Sequence, residues 1–351
     1  DETGGPSDKV LLRAGVAGYG MSGEVFHCPL IDDTPGIEVA KIVTSDRERS
    51  ARATVRYPEA EVVPDISGVW DGIDLLVVAS PNRSHAELAL AAVGRDLPVV
   101  IDKPLAATLD EAEHIILAGG RVTVFQNRRW DGDFLSLRSV LEEGTLGEPV
   151  RLESRFERFR QEIRDAWRES GDPRYGGGQL ADIGAHLIDQ AIVLFGPPEF
   201  VYAEVDTRRK GARTDDDVFV ALEHRGGVRS HLHMGVLAPL AGPRLRLSGL
   251  DGGLEIDGLD PQEEQLKAGG MPGSDGFGER GPGRLLTGSG SGEQDLGLTA
   301  GRYADFYAGV VAWLAEGADA PVYPADSLRV MKVIETARAS SKKREVLPFS
   351  G

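Results

Sequence analysis

The sequence is poor in cysteine, in long apolar runs and in positive charge. Cys28 is the only cysteine of the 351 residues, which excludes an internal disulfide and any thiolate-cluster metal site. Apolar runs stay well short of the ~18 to 20 residues that a membrane-spanning helix needs. Residues 1–10 are polar and acidic and lack the apolar core of a secretion signal. We therefore expect a cytoplasmic protein with a short, frayed N-terminus and no bound metal.

The shortage of positive charge bears on the partners. The chain has 39 Lys plus Arg against 56 Asp plus Glu, a formal net charge of -17. Such a chain repels phosphate backbones, and no basic cluster offsets this locally, so nucleic acid and anionic membranes are unfavourable partners. Any anionic ligand must instead be held by local geometry. Hydrophobic residues make up 41% of the sequence, which is enough for sizeable cores, and the length favours two domains.

The first third of the chain has a regular rhythm. Between residues 9 and 125, short apolar runs rich in β-branched residues alternate with helical stretches. This pattern predicts an α/β fold with a buried, doubly wound parallel sheet over residues 1–125. The predicted strands are Val10–Val16, Ile37–Val43, Asp74–Ala79, Leu97–Ile101 and Val122–Phe125.

The rhythm changes after residue 125. Longer alternating strands and a few helices predict an α+β domain over residues 126–351, with an open antiparallel sheet. If one face of that sheet is apolar, a second copy of the chain can cover it, which favours a homodimer or homotetramer. Residues 269–292 are dense in Gly, Ser and Pro, which indicates a flexible surface loop, with a lid over the active site as the alternative. The two helices predicted near the C-terminus could pack back on the first domain.

A GxGxxG motif directly follows the first predicted strand and opens a helical stretch. In this position the glycines permit a tight turn and a close approach of the backbone to a diphosphate, and the helix N-terminus supplies oriented N–H groups for the anion. Local dipoles can thereby hold a dinucleotide despite the acidic net charge. The predicted cofactor contacts in this turn are Gly18, Tyr19, Gly20, Met21, Ser22 and Gly23.

The tip of the second strand bears on the choice between NADP and NAD. That strand is predicted to end just before Thr44 and Ser45, and Arg47 and Arg49 follow. NAD-selective sites place an acidic side chain at this tip to bind the ribose 2′-OH, whereas small hydroxyls with a guanidinium suit the 2′-phosphate of NADP. We therefore predict NADP, contacted by Thr44, Ser45 and Arg47, with Arg49 as the alternative guanidinium for the 2′-phosphate. If the strand ends later, Asp46 becomes the ribose ligand and NAD the cofactor.

Two further strand ends lie at the same edge of the predicted sheet. Ser80, Pro81 and Asn82 follow one strand, and Lys103 and Pro104 follow the next. Open parallel sheets bind ligands at this edge, so we expect all five to contact the cofactor. The Lys103 ammonium could also polarise a hydroxyl or carbonyl oxygen during hydride transfer.

The second half carries its own candidate site. A glycine run at 176–178 leads into an apolar helix that presents Asp182 and His186 four residues apart, on one face. A carboxylate beside an imidazole fixes its tautomer and raises its basicity, which gives a proton acceptor for an alcohol. An ordinary surface pair is the alternative. The presence of Lys103 and the glycine run favours the catalytic interpretation.

Together these motifs resemble the glucose-fructose oxidoreductase, inositol dehydrogenase and MocA (Gfo/Idh/MocA) family of NAD(P)-dependent oxidoreductases, over nearly the whole chain. The markers are the glycine motif at 18–23, the pair Lys103-Pro104 preceded by Asp where many members have Glu, and the glycine run followed by Asp182 and His186. The resemblance implies that Lys103, Asp182 and His186 are the catalytic lysine, aspartate and histidine. It also implies a dinucleotide-binding Rossmann domain over residues 1–125. The second domain, over residues 126–351, would be an α+β domain whose large, mostly antiparallel open sheet binds substrate and often forms dimer or tetramer contacts.

A narrower similarity is to the NADP-dependent scyllo-inositol dehydrogenase branch of that family. It rests on residues 27–29, 125–134, 167–169 and 260–263. It implies that four further residues lie at or near the cleft between cofactor and substrate, namely Asn127, Arg129, Trp167 and Arg168.

The hypothesis from the sequence is reversible oxidation of a secondary alcohol on a cyclitol or sugar. His186, held by Asp182 and assisted by Lys103, would take or return the hydroxyl proton while hydride passes to or from the nicotinamide. Two alternatives stay open. One is a non-catalytic dinucleotide-binding regulator of the same fold, and the other is a family enzyme that acts on a linear sugar.

Overall fold

The computed structural model describes residues 11–163, 169, 171, 176–288 and 292–351. The expected frayed N-terminus, residues 1–10, lies outside the described residues. The first half forms a six-stranded parallel sheet in the order β3-β2-β1-β4-β5-β6. This confirms the predicted Rossmann fold. The strands are β1 Leu12–Ala17, β2 Ile37–Val43, β3 Glu61–Val63, β4 Leu75–Val78, β5 Val99–Asp102 and β6 Val122–Phe125.

Helices cover both faces of this sheet. The first, α1, begins as a π-helical turn, Ser22–His27, and continues as an α-helix, Cys28–Asp32. The others are α2 Arg47–Arg56, α3 His85–Val93 and α4 Leu109–Ala118. The start of α4 is encoded locally, because Thr108 and Glu111 form a capping box there. All four residues of β4 are buried, as expected of a central parallel strand.

The second half is built on a nine-stranded sheet in the order β14-β13-β12-β11-β7-β10-β9-β8-β15, in which only the β7–β10 pair is parallel. Its strands are β7 Pro149–Glu157, β8 Pro198–Asp206, β9 Asp217–His224, β10 Arg229–Gly235, β11 Leu245–Gly249, β12 Gly252–Ile256, β13 Gly283–Thr287, β14 Glu293–Leu296 and β15 Leu347–Pro348. Its helices are α5 Gly132–Glu142, α6 (a π-helical turn, Leu180–Gly184, followed by Ala185–Phe195), α7 Gln262–Lys267, α8 Ala304–Val311 with a further π-helical turn Ala312–Glu316, and α9 Pro324–Lys343.

The apolar face of the large sheet is covered within the chain. Buried side chains of its strands pack with those of α5, α6 and α9 in one continuous core. The opposite face is charged, for example where Arg246 lies between Glu153 and Glu255, at 3.8 Å and 2.6 Å. The expectation that an apolar sheet face is left for a second copy is therefore wrong, because these helices bury it.

Residues 269–292 are not one long loop, which corrects the expectation. Gly283–Thr287 forms β13 and pairs with β12 and β14, so the sheet continues through this segment. This strand has only two leucines, and the sequence on both sides is rich in glycine, so the residue pattern did not predict a strand here. Before β13, the side chain of Arg280 is 6% exposed and lies 3.2 Å from Asp133, which ties the preceding turns to α5.

The C-terminal helices join the two halves. The start of α8 places Tyr303, Phe306 and Tyr307 fully buried in the core of the parallel sheet. Helix α9 places Val333 in the core of the large sheet. Among the described residues, no helix is long and apolar enough to cross a membrane.

Candidate active site

The glycine turn after β1 is closely packed against its own strand ends. Gly18 has φ +115°, and a Cβ there would lie 2.6 Å from the carbonyl oxygen of Ala79. A Cβ on Gly23 would collide with the carbonyl oxygen of Gly18. At Gly20, in contrast, the one described atom within 4 Å of a Cβ is Arg49 Nη1, at 3.8 Å. Gly18 and Gly23 are thus required by the protein's own packing, whereas Gly20 faces open space beside a guanidinium.

The side chains of the turn point in different directions. Tyr19 is 3% exposed and packs edge-on against Tyr57, and burial raises its pKa to about 12. Its ring belongs to the core, so its backbone is the part available to a cofactor. Met21 is 43% exposed at the rim. The Ser22 hydroxyl donates to Oδ2 of Asp102 at 2.5 Å, which joins the turn to the end of β5.

Strand β2 ends at the predicted residue. The strand ends at Val43, and Thr44 and the exposed Ser45 follow. Asp46 caps α2, since its Oδ1 accepts from the backbone N–H groups of Glu48 and Arg49 at 2.9 Å. The N–H of Arg49 is the largest cause that lowers the pKa of Asp46. The later strand end that would make Asp46 the ribose ligand is therefore not observed.

Arg47 and Arg49 are both exposed in the first turn of α2. They differ in reach, since the Arg49 guanidinium extends to the side of Gly20. A basic group thus lies between the β2 tip and the glycine turn. The sequence prediction named Arg47 or Arg49 for the 2′-phosphate, and of these two Arg49 is the one within 4 Å of a Cβ on Gly20.

The ends of β4 and β5 lie at the same edge of the sheet. Ser80 Oγ lies 2.7 Å from Ser84 Oγ, and Pro81 and Asn82 begin the turn that enters α3. At the end of β5, the backbone N–H of Lys103 donates to Oδ1 of Asp102 at 2.9 Å. The Lys103–Pro104 peptide bond is cis. The structure thus brings the predicted contacts of these strand ends to the edge occupied by the glycine turn.

Lys103 and Asp182 meet across the two halves of the protein. Nζ of Lys103 donates to Oδ1 of Asp182 at 2.6 Å and to its backbone oxygen at 2.8 Å, and both side chains are 16% exposed. His186 lies one turn further along α6 and is 6% exposed. The turn that carries Asp182 is π-helical, a local irregularity that is frequent at functional sites.

The start of α6 is fixed by Asp215, from the segment between β8 and β9. Its Oδ2 accepts from the N–H of Leu180 at 2.7 Å, and its backbone oxygen accepts from Gln179 at 3.1 Å. Burial is the main cause that raises the pKa of Asp215. Gly178 has φ +94°, and a Cβ there would collide with Oδ1 of Asp215. The glycine run therefore lets this carboxyl group cap the helix that carries Asp182.

The remaining predicted substrate residues divide into two groups. Asn127 is buried just beyond β6. Arg129, from the same turn, donates through Nε and Nη2 to both oxygens of Asp189 on α6, at 2.8 and 2.7 Å. Arg129 thus fastens α6 to the end of β6, and a contact with substrate stays a prediction. Trp167 and Arg168 lie outside the described residues.

A cavity of about 410 Å³ lies on the other side of the start of α6. Pro104, Ala181 and Ala185 contribute to its wall, each the chain neighbour of a predicted catalytic residue. The side chains of Lys103, Asp182 and His186 are not part of that wall. The cavity therefore borders the candidate site, and Pro104, a predicted cofactor contact, belongs to its wall.

Sequence reasoning missed the groups that support the site. Asp102 links Ser22 to the backbone of Lys103, and Asp215 caps α6. Asp102 could have been singled out because it stands beside Lys103 at a buried strand end. Asp215 begins a run of three aspartates between two strands, a pattern that does not show which carboxylate turns inward.

The geometry of the parallel sheet suits a dinucleotide. The close contacts at Gly18 and Gly23 shape the turn, Gly20 leaves room for an approaching group, and Arg49 supplies positive charge beside it. The edge that holds this turn also holds Ser80 and Lys103. These are the features that a diphosphate and a nicotinamide ring require at the switch point of such a sheet.

Comparison with known proteins agrees with this geometry. Residues 12–120 match the oxidoreductase family model with an NAD-binding Rossmann fold, and residues 134–255 match the GFO/IDH/MocA C-terminal domain. The chain is 34% identical to scyllo-inositol 2-dehydrogenase (NADP(+)) IolW of Bacillus subtilis over 347 residues, with 96% of this chain and 95% of that protein covered. It is 38% identical to the uncharacterized oxidoreductase YdgJ of Escherichia coli over 345 residues, with 96% and 98% covered.

Among solved structures, an oxidoreductase from Bacillus cereus superimposes with a TM-score of 0.86 at 26% identity, with 97% of this chain and 99% of that chain covered. The similarity therefore extends through both sheets. The chain belongs to the Gfo/Idh/MocA family of NAD(P)-binding oxidoreductases.

Proposed function

We propose that the protein catalyses reversible oxidation of a secondary alcohol on a cyclitol or sugar with NADP(H), as a scyllo-inositol dehydrogenase does. The observation that carries the proposal is the contact of Lys103, at the cofactor edge of the parallel sheet, with Asp182 on α6, one turn before His186. A substrate bound at this contact would have its reacting carbon beside the nicotinamide and its oxygen beside the proton-transferring side chains.

The bound cofactor would supply or accept the hydride. The turn from Gly18 to Gly23 would hold its diphosphate, and Thr44, Ser45, Arg47 and Arg49 would surround the 2′-phosphate. Ser80, Asn82 and Lys103 would flank its nicotinamide half. The indole and guanidinium of Trp167 and Arg168 are proposed for the substrate on the sequence resemblance alone.

The protein's own groups would handle the proton. The Lys103 ammonium would hydrogen-bond the reacting oxygen and stabilise negative charge that develops on it. Asp182 would hold that ammonium in place through the 2.6 Å contact. The largely buried imidazole of His186 would accept the hydroxyl proton during oxidation and return it during reduction.

The acidic net charge favours a neutral substrate. With a formal charge of -17, the protein gives no long-range attraction to a carboxylate or phosphate ester. A polyol or its ketone carries no charge and depends on hydrogen bonds alone. This supports a cyclitol or sugar over an acid.

The proposal also includes a homo-oligomer, in which the charged face of the large sheet meets a second copy of the chain.

The decisive experiment measures NADPH oxidation with scyllo-inosose and a panel of cyclic and linear ketoses. We expect turnover by the wild type and at least a 100-fold lower kcat in His186→Ala and in Lys103→Met. The exposed His114 on α4 provides the matched control, because His114→Ala should keep wild-type kcat. Unchanged turnover in His186→Ala would remove that residue from the mechanism. Binding of NADPH without turnover across the panel would overturn the proposal in favour of a regulator.

The cofactor preference has its own test. Arg49→Ala should raise KM for NADPH about 10-fold and KM for NADH much less, because both cofactors carry the diphosphate and only NADPH carries the 2′-phosphate. Arg47→Ala is the comparison variant, and the closer approach of Arg49 to Gly20 predicts the larger effect for Arg49. A wild type that uses NADH more efficiently than NADPH would contradict the assignment.

A further inference from the structure

A buried histidine that is not among the predicted site residues lies between the ends of β4 and β5, the two strands beside the candidate site. His85 is the first residue of α3 and is 1% exposed. Its Nδ1 lies 2.7 Å from the carbonyl oxygen of Pro104, and its Nε2 lies 2.9 Å from the carbonyl oxygen of Ser80. One ring therefore connects the segment after β4 with the segment after β5.

Both partners of this ring are acceptors. A backbone carbonyl cannot donate a hydrogen bond, and a neutral imidazole has only one N–H. Both contacts are hydrogen bonds only if the ring carries two N–H groups and a positive charge. Charge-assisted hydrogen bonds are shorter and stronger than neutral ones, and the 2.7 Å contact with Pro104 agrees with that form.

The surroundings do not place a second imidazolium against this ring. The neighbouring His27 is fully buried, and its Nδ1 lies 2.6 Å from the Tyr307 hydroxyl. Burial is the largest cause that lowers the pKa of His27, to about 4, and the charge of His85 lowers it further. At neutral pH His27 is therefore uncharged.

The two segments flank one half of the dinucleotide. In a sheet of this order the diphosphate lies at the β1 turn and the adenosine ribose at the β2 tip, so the nicotinamide half extends over β4 and β5. Ser80 ends the first of these strands, and Pro104 directly follows Lys103. Neither carbonyl can move far without losing its bond to the shared ring.

We propose that His85, in its doubly protonated form, is a positioning residue that ties Ser80 to Pro104 and so fixes the pocket for the nicotinamide half and the backbone beside Lys103. This inference rests on the dinucleotide site of the proposed function. It does not depend on which alcohol is the substrate.

The test measures binding in two parts. Isothermal titration of the full-length protein with NADP and with 2′,5′-ADP separates the whole cofactor from its adenosine half. His85→Phe keeps the ring and removes both N–H groups, so we expect Kd for NADP to rise at least 10-fold and Kd for 2′,5′-ADP to stay within twofold. His114→Phe, on the exposed face of α4, should change neither. If the wild type prefers NAD, the pair becomes NAD and ADP.

Two outcomes would overturn the inference: unchanged NADP binding in His85→Phe, or equal weakening of both ligands in a folded variant. If His85→Phe does not fold, His85→Gln and ¹⁵N spectra of the wild-type imidazoles decide. A ring with one protonated nitrogen at neutral pH refutes the proposal, and two protonated nitrogens with selective loss of NADP in His85→Gln support it. Since no alcohol is added, a wild type inactive on every polyol would refute the proposed reaction and leave this result intact.

Discussion

Two glycines of the GxGxxG turn should differ in how the same substitution affects stability. At Gly23 an added Cβ would collide with the carbonyl oxygen of Gly18, and both groups belong to the backbone. At Gly20 the one described neighbour within 4 Å is the end of the flexible Arg49 side chain, at 3.8 Å. Gly20 also has no positive φ that would strain an alanine. Gly23 is therefore required for folding, and Gly20 only for ligand binding.

The sizes of the effects follow from these contacts. Gly20→Ala should change the unfolding free energy by no more than about 1 kcal/mol, since alanine suits an unstrained position and restricts the unfolded chain. It should weaken NADP binding ~100-fold, or about 2.7 kcal/mol, because the methyl group fills the space in which a diphosphate approaches the backbone. Gly23→Ala should lower stability by about 3 kcal/mol, the upper range for overpacking, and lose NADP binding as a consequence.

Urea unfolding of the ligand-free variants, followed by tryptophan fluorescence, and calorimetric titration with NADP provide the two measurements. The contrast between the variants is the control, since both add one methyl group to the same turn. Wild-type NADP affinity in a folded Gly20→Ala variant would show that the diphosphate does not lie at this turn. Equal loss of stability in both variants would show that the open space at Gly20 is not present in solution.

Three other predictions concern the supports of the site. The pKa of His27 is lowered to about 4 in the folded state, so between pH 6.5 and 4 only the unfolded state takes up a proton at this residue. Stability should therefore fall by about 3 kcal/mol as the pH drops through this range, and urea titrations should show a weaker pH dependence in His27→Asn. For the buried Arg129–Asp189 pair, either Arg129→Met or Asp189→Asn should cost about 3 kcal/mol, and a double-mutant cycle that gives additive losses would contradict their coupling. For the cap of α6, Asp215→Ala should lower stability by about 2 kcal/mol and kcat at least 10-fold, with Asp217→Ala on the charged sheet face as the control; full kcat at reduced stability would separate the cap from catalysis.

The sequence was most informative where one residue pattern has one structural meaning. Buried parallel strands are continuous apolar runs, and the five predicted in the first half all appear, within two residues at each end. Short edge strands carry no such pattern. β3 has three residues, and β14 is Glu-Gln-Asp-Leu, so its pairing with β13 is set by the neighbouring strand and not by its own composition.

The candidate site divides in the same way. Glycines and the Lys-Pro pair could be placed from the sequence because each follows a recognisable strand. The partners that hold them come from distant parts of the chain: Asp215 lies 35 residues from the N–H that it caps, and Asp189 lies 60 residues from Arg129. Such pairs depend on the packing of α6 against the large sheet and the turn after β6, which no local pattern encodes.

The arrangement of these supports explains how an ion pair can lie between the two halves without being needed to hold them together. Lys103 and Asp182 are each 16% exposed, so water partly screens their attraction, and a pair of this kind contributes little to holding two large units together. The backbone on each side is fixed independently, by Asp102 and His85 beside Lys103 and by Asp215 before Asp182. The ion pair is therefore not needed to build the cleft. Its ammonium can exchange a carboxylate oxygen for a substrate oxygen without moving either backbone, as a group that assists proton transfer must.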